Sequence, residues 1–166
     1  MSASTTAISD GRDMGKVSED LARLYPEYRQ QDRDYLAAMS QKFNLDPIKR
    51  EIHMLPGRNG KSPMIVIGYQ VYIARANETG LLKGWSVALR KGDKEDRDIS
   101  CTVEILRSDY TNPFQWTVFL KEVAGASPIW MKMPSFMLRK VAISQAFRLC
   151  FPEHLGGLPY GEEEII

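Results

Sequence analysis

At 166 residues the chain is long enough for one domain with a sizeable core, and 43% hydrophobic with 26% charged residues is a globular composition, which excludes intrinsic disorder. No apolar run approaches the roughly 20 residues of a membrane span, which excludes a helical membrane protein. The formal charge of +1 is too small to name a partner by itself, so its distribution along the chain matters more.

Residues 1–14 lack the apolar core and the Arg-rich pattern of targeting segments and read as a disordered leader, leaving 15–166 as a single domain. Residues 15–25 form a short helix with Ser18 as N-cap, stopped by Pro26. Asp32 to Phe43 is a second helix, with Tyr35, Met39 and Phe43 on one stripe, ending at Asn44 before Pro47. Arg50 to Leu55 alternates as a strand. The turn-rich PGRNGKSP stretch (56–63) separates it from the β-rich MIVIG (64–68), and the two make a hairpin. Tyr69 to Thr79 is helical, closed by Gly80.

Trp85 to Leu89, Ile99 to Arg107 and Phe114 to Leu120 make three further strands. The polyampholyte KGDKEDRD (91–98) is a solvated turn between the first two, and Asn112-Pro113 joins the second to the third. Trp130 and Pro134 lead into a long helix running to Phe151. The predicted fold is α+β: a β-hairpin plus a three-stranded antiparallel sheet packed with helices, including the long C-terminal helix.

That last helix is apolar almost all the way round, as helices walled in by protein are. It nevertheless carries Arg139, Lys140 and Arg148, with Lys132 just ahead and no acidic residue of its own. Residues 121–148 hold five cations against Glu122 alone, a net +4, and residues 149–166 hold four glutamates and no cation, a net −4. Cations on a walled-in element need an anion, because isolated buried charge is costly. A phosphate backbone would supply it.

Other motifs carry less. Gly57-Arg-Asn-Gly60-Lys61-Ser62 resembles a phosphate-binding P-loop, but its glycines are three apart instead of five and no helix follows. It reads as a basic hairpin tip whose Arg58 and Lys61 can meet phosphate as point charges. His53 and His154 have no second ligand at metal-binding spacing, so no metal is expected and each reads as packed or surface histidine. Glu162 to Glu164 read as a solvated chain end. Cys101 and Cys150 read as reduced core thiols of a cytosolic protein. No nucleophile constellation is present, so no catalytic residue is assigned. Trp85, Phe114, Trp116, Phe119 and Trp130 are open to two readings, core packing or a platform on which bases stack.

Three segments in order resemble the phage single-strand annealing proteins of the RecT and lambda Red-beta (Bet) family, covering about residue 30 to the end. The first is Leu45-Asp-Pro-Ile-Lys-Arg-Glu-Ile52 with Ile67-Gly-Tyr-Gln-Val-Tyr-Ile-Ala-Arg75. The second is Ser100-Cys-Thr-Val-Glu-Ile-Leu-Arg107 with Asp109, Asn112-Pro113 and Lys121-Glu122. The third is Trp130, Pro134, Met137-Leu-Arg-Lys140 and Gln145-Ala-Phe-Arg-Leu-Cys-Phe151.

The resemblance implies a recombinase that is not an enzyme and needs neither ATP nor another cofactor. It would bind single-stranded DNA, pair it with a complementary strand and hold the annealed duplex, as a homo-oligomeric ring or helical filament. A phage exonuclease and a host single-strand-binding protein would be its partners, in the cytoplasm of a bacterial or phage-infected cell. The family's basic positions carry over to Arg50, Arg107, Arg139, Lys140 and Arg148, with Lys61 a looser match and Lys132 beside them. The open sheet and the apolar helix would then serve neighbouring subunits. Members close to Red-beta carry basic residues after the proline, where this chain has Ser135 and Phe136. Longer members continue past this point, so the chain reads as a minimal member or a trimmed core. The competing readings are an NTPase or nuclease, and a monomeric nucleic-acid chaperone.

Overall fold

The computed structural model describes residues 14–57, 60–92 and 99–165. The expected leader up to residue 13, Arg58, Asn59 and most of the polyampholyte turn lie outside the described residues. Two helices, α1 (Met14–Leu24) and α2 (Gln30–Phe43), precede a hairpin of β1 (Ile52–Leu55) and β2 (Met64–Ile67). Helix α3 (Tyr69–Glu78) leads to strands β3 (Leu82–Arg90), β4 (Ser100–Arg107) and β5 (Phe114–Phe119). The short α4 (Leu120–Val123) and α5 (Pro128–Lys132) are followed by α6 (Pro134–Cys150), α7 (Pro152–Leu155) and a 3-10 turn at Glu162–Glu164. The element order and the α+β class are those expected from the sequence.

One local expectation needs correction: Ser18 does not cap α1, because the helix already begins at Met14. The expected long C-terminal helix is α6, one helix of seventeen residues, separated from α5 by Met133 (φ −136) and begun by Pro134. Proline suits that position, where its missing N–H has no helical partner to lose.

Strands β3, β4 and β5 form an antiparallel sheet in that spatial order. Its register puts Val87 opposite Val103 and Val103 opposite Trp116. Alternation does the sorting. Cys101, Val103, Ile105 and Val118 are buried toward α6, while the other face is polar. There Thr102 bonds Thr117 at 2.8 Å and Gln115 donates to Glu104 at 2.7 Å.

Helix α6 also packs against α3, whose Val71, Tyr72 and Ala76 are buried. Sheet on one side and helix on the other explain why nine of its seventeen residues are buried and why it is greasy all round. Most of the apolar circumference that was expected to serve neighbouring subunits is covered by the helix's own chain, with Phe136 and Leu149 left exposed.

The loop from α2 into β1 is tightly tied. Asn44 ends α2 in the left-handed region (φ 49), and Arg75 of α3 donates to the carbonyls of Phe43 (2.5 Å) and Asn44 (2.9 Å). A cation at a helix C-terminus satisfies orphan carbonyls and complements the dipole. Asp46 accepts from the amides of Ile48 (2.8 Å) and Lys49 (3.3 Å), and its own N–H donates to Glu51 at 2.7 Å. These bonds fix the turn that presents Lys49 and Arg50.

Candidate nucleic-acid interface

A cleft of about 490 Å³ opens where that turn, the start of α3, α6 and the Glu162–Glu164 turn meet. Lys49, Arg50 and Lys140 line it together with the carboxylates of Glu51, Glu162 and Glu163, and with Gly68, Tyr69 and Gln70 at the start of α3. Helix α3 has no side-chain cap at its start, which borders the cleft, and the Val71 amide donates to the Gly68 carbonyl at 2.9 Å. Arg50 sits in the left-handed region (φ 58), which a bulky residue adopts at a cost of order 1 kcal/mol. Lys49, Arg50 and Lys140 make no ion pair among the described residues. The Lys140 ammonium lies instead over the rings of Phe136 (4.8 Å) and Tyr69 (5.8 Å).

The acidic end is not a solvated tail. Each of its three carboxylates has its own partner in the fold. Glu162 meets Nε2 of the buried His53 at 3.2 Å, and that hydrogen bond holds its pKa below the ordinary value. Glu163, only 3% exposed, accepts from the Ser144 hydroxyl; burial raises its pKa, against the lowering effect of that bond. Glu164 takes both Nη atoms of Arg148, at 2.5 and 2.7 Å. Burial opposes the Arg148 charge, and the bonds to Glu164 and Tyr72 outweigh it, so its pKa is raised. The premise that cations of α6 lack carboxylates of their own chain fails at Arg148 and holds at Arg139 and Lys140, which have no ion pair among the described residues.

Arg107 is likewise engaged within the fold. Its side chain is 4% exposed and bonds Asp109 (2.9 and 2.7 Å), Glu153 (2.8 Å) and the carbonyl of Cys150. The rings of Tyr110 and Phe151 lie 4.5 and 4.6 Å from the guanidinium carbon. The hydrogen bonds raise its pKa and lower that of Asp109, while Glu153 is lowered first by a bond from its own backbone amide and then by Arg107. A guanidinium so enclosed ties β4 to the end of α6, and its hydrogen bonds within the fold set it apart from the expected phosphate-binding cations.

Lys132 and Arg139 are exposed on α5 and α6. Lys61 is exposed beside a second groove with Tyr28, Arg29 and Gly60, away from the residues lining the main cleft. The aromatics divide: Trp130 is buried and Phe114 packs against the core, while Trp85, Trp116 and Phe119 stay partly exposed. Trp85 meets Phe147 edge-on (centroids 5.6 Å) and Trp116 donates to Gln145 of α6 (3.0 Å), which places both on the helix side of the sheet. Trp130 is buried, and of the five only Phe119 lies on the open face, beside Lys121. Cys101 and Cys150 are buried and unpaired, their thiols pushed up to about 11 by burial.

Sequence reasoning missed Lys49 as a cleft residue and missed the docking of the acidic end. The Asp46-Pro47 turn signal, with an aspartate able to accept from amides two and three residues on, was available for the first. For the second there was only the charge balance between Arg148 and the glutamates.

A mixed α/β chain with a cleft lined by both cations and carboxylates is a scaffold many proteins share, and comparison narrows it. Residues 30–166 match the model of the RecT family. The chain therefore belongs to the RecT family. An uncharacterized protein of Ureaplasma parvum serovar 3 is similar, 27% identical over 126 residues that make up 75% of this chain and 56% of that relative. The chain thus spans little more than half the length of the curated relative it matches. No helix among the described residues is long and apolar enough to cross a membrane.

Proposed function

We propose that the protein binds single-stranded DNA and anneals it to a complementary strand without ATP, acting as a recombinase of phage type rather than as an enzyme. The observation that carries this reading is the cleft in which Lys49, Arg50 and Lys140 gather at the start of α3 without acidic ion-pair partners, in a chain of the RecT family. Arg139 and Lys132 extend the positive surface along α6 and α5, and Lys61 adds a point charge on the hairpin.

Annealing runs downhill, since stacking yields on average about 1.4 kcal/mol per base-pair step. The protein needs only to relieve phosphate repulsion and keep pairing edges open. Contacts to the backbone do this, and readout of sequence would impede it. The open face of the sheet carries Thr102, Thr117 and Glu104 with Phe119 as a single exposed ring, too little for a run of stacked bases, so backbone contacts carry the binding. Four neutralised phosphates would make the affinity fall about 50-fold between 50 and 200 mM salt.

The protein works as a homo-oligomer, a ring or filament on DNA. Met131, Met133 and Phe136, exposed by 79, 40 and 44% at the α5–α6 junction, supply apolar surface for a neighbouring copy. A phage exonuclease and a host single-strand-binding protein are its partners, in the cytoplasm. The test is annealing of two complementary oligonucleotides, one fluorescent and one quenching, with neither nucleotide nor divalent ion. Acceleration over the spontaneous rate is expected. No acceleration, or a requirement for ATP, sinks the reading.

A further inference from the structure

The acidic turn lies against the same positive surface. Lys140, Ser144 and Arg148 follow one another at four-residue spacing on α6, about 6 Å apart along the axis, and form a polar stripe on an otherwise apolar helix. Glu163 covers Ser144 and Glu164 covers Arg148, while Glu162 and Glu163 both feel the Lys140 charge. Three consecutive carboxylates along such a stripe reproduce the charge pattern of a short polyanion. We propose that the Glu162–Glu164 turn is an internal stand-in for DNA phosphates, and that a single strand entering the cleft displaces it and takes over Arg148. This rests on the annealing function proposed above and adds its regulation.

The way the turn is held suits displacement. Glu163 is buried against a hydroxyl instead of a cation, which leaves its charge undercompensated. The backbone is tied at its near end: the Ile67 amide donates to the Tyr160 carbonyl at 3.1 Å and Ile67 bridges Gly161. The Tyr72 hydroxyl adds a bond to the Pro159 carbonyl at 2.7 Å. Tyr160 itself is 62% exposed, its ring 4.7 Å from the Arg148 guanidinium. Upstream, Gly156 and Gly157 follow the buried Leu155, and Gly157 takes φ +82, a conformation that lets the segment leave the body sharply.

The experiment measures oligothymidylate binding by fluorescence anisotropy and amide exchange at Ile67, on the full chain. Glu164→Gln removes the competing charge and is expected to tighten binding about five-fold. Combining it with Arg148→Ala abolishes that gain, because the gain acts through Arg148. Glu163→Gln keeps the bond to Ser144 without the buried charge, holds the turn down and weakens binding. In the unaltered protein, oligothymidylate speeds exchange of the Ile67 amide. If the unaltered protein binds but Glu164→Gln binds no tighter and Ile67 exchange stays unchanged, the turn is a fixed part of the fold and the proposal falls alone. If the unaltered protein does not bind oligothymidylate, the annealing function falls with it.

Discussion

Arg107 and Lys140 stand on packed elements, β4 and α6, yet the fold treats their charges in opposite ways. Around Arg107 two carboxylates, a carbonyl and two aromatic rings close on the guanidinium. Around Lys140 the ammonium has aromatic faces and an open cleft, with Lys49 and Arg50 across from it. Both residues fall in segments that resemble the same family. The contrast teaches that basic residues in such segments are not equivalent, and that what separates them is whether carboxylates close on the cation in hydrogen bonds or, as Glu162 and Glu163 do for Lys140, act only from across an open cleft.

The sharpest way to break the comparison is to truncate one cation of each kind. Arg107→Ala should lower stability by about 2–4 kcal/mol, or roughly 5–15 °C in Tm, through lost packing and an orphaned carbonyl. Thermal unfolding measures this, and DNA affinity of the folded protein should hardly change. Arg50→Ala with Lys140→Ala should do the reverse, leaving Tm within about 2 °C while weakening single-strand binding about 25-fold near 0.1 M salt, five-fold per contact.

A smaller effect separates the glutamates of the acidic turn. Glu163 has a raised pKa, so its contribution to stability is complete below the ordinary value of 4.5 and is lost as pH rises through the elevated one. Glu162, lowered by His53, behaves oppositely: its contribution is present above 4.5 and is lost as pH falls through the depressed value. Glu163→Gln should therefore stabilise the protein at neutral pH by about 0.5–1 kcal/mol and flatten the decline on that side. Melts from about pH 4 to pH 8 would reveal it. The smallest effect belongs to the open sheet face. Phe119→Ala should change DNA affinity less than about two-fold, whereas a base-stacking platform would lose about 1–3 kcal/mol per base.

The order of elements was legible because each helix and strand is written in local periodicity. Val103 and Ile105 alternate as a buried strand must, and the stripe of Tyr35, Met39 and Phe43 marks α2. The apolar circumference of α6 correctly announced burial on more than one side. What could not be read was pairing at a distance. His53 meets Glu162 across 109 positions and Arg107 meets Glu153 across 46. No local pattern encodes such contacts; they exist only once α6 and α3 have docked. A run of three glutamates looks like solvated chain, and only the fold reveals that His53, Ser144 and Arg148 are waiting for it. The same blindness made Arg107 and Arg148 look alike to Arg139.

The most direct test is the salt dependence of oligothymidylate binding for the unaltered protein and for the Arg50→Ala, Lys140→Ala double variant. If these two side chains neutralise phosphates, the logarithmic slope of affinity against salt becomes shallower by about 1.4, two contacts at about 0.7 each. Equal slopes and equal affinities in two folded proteins would contradict the assignment of this cleft to DNA.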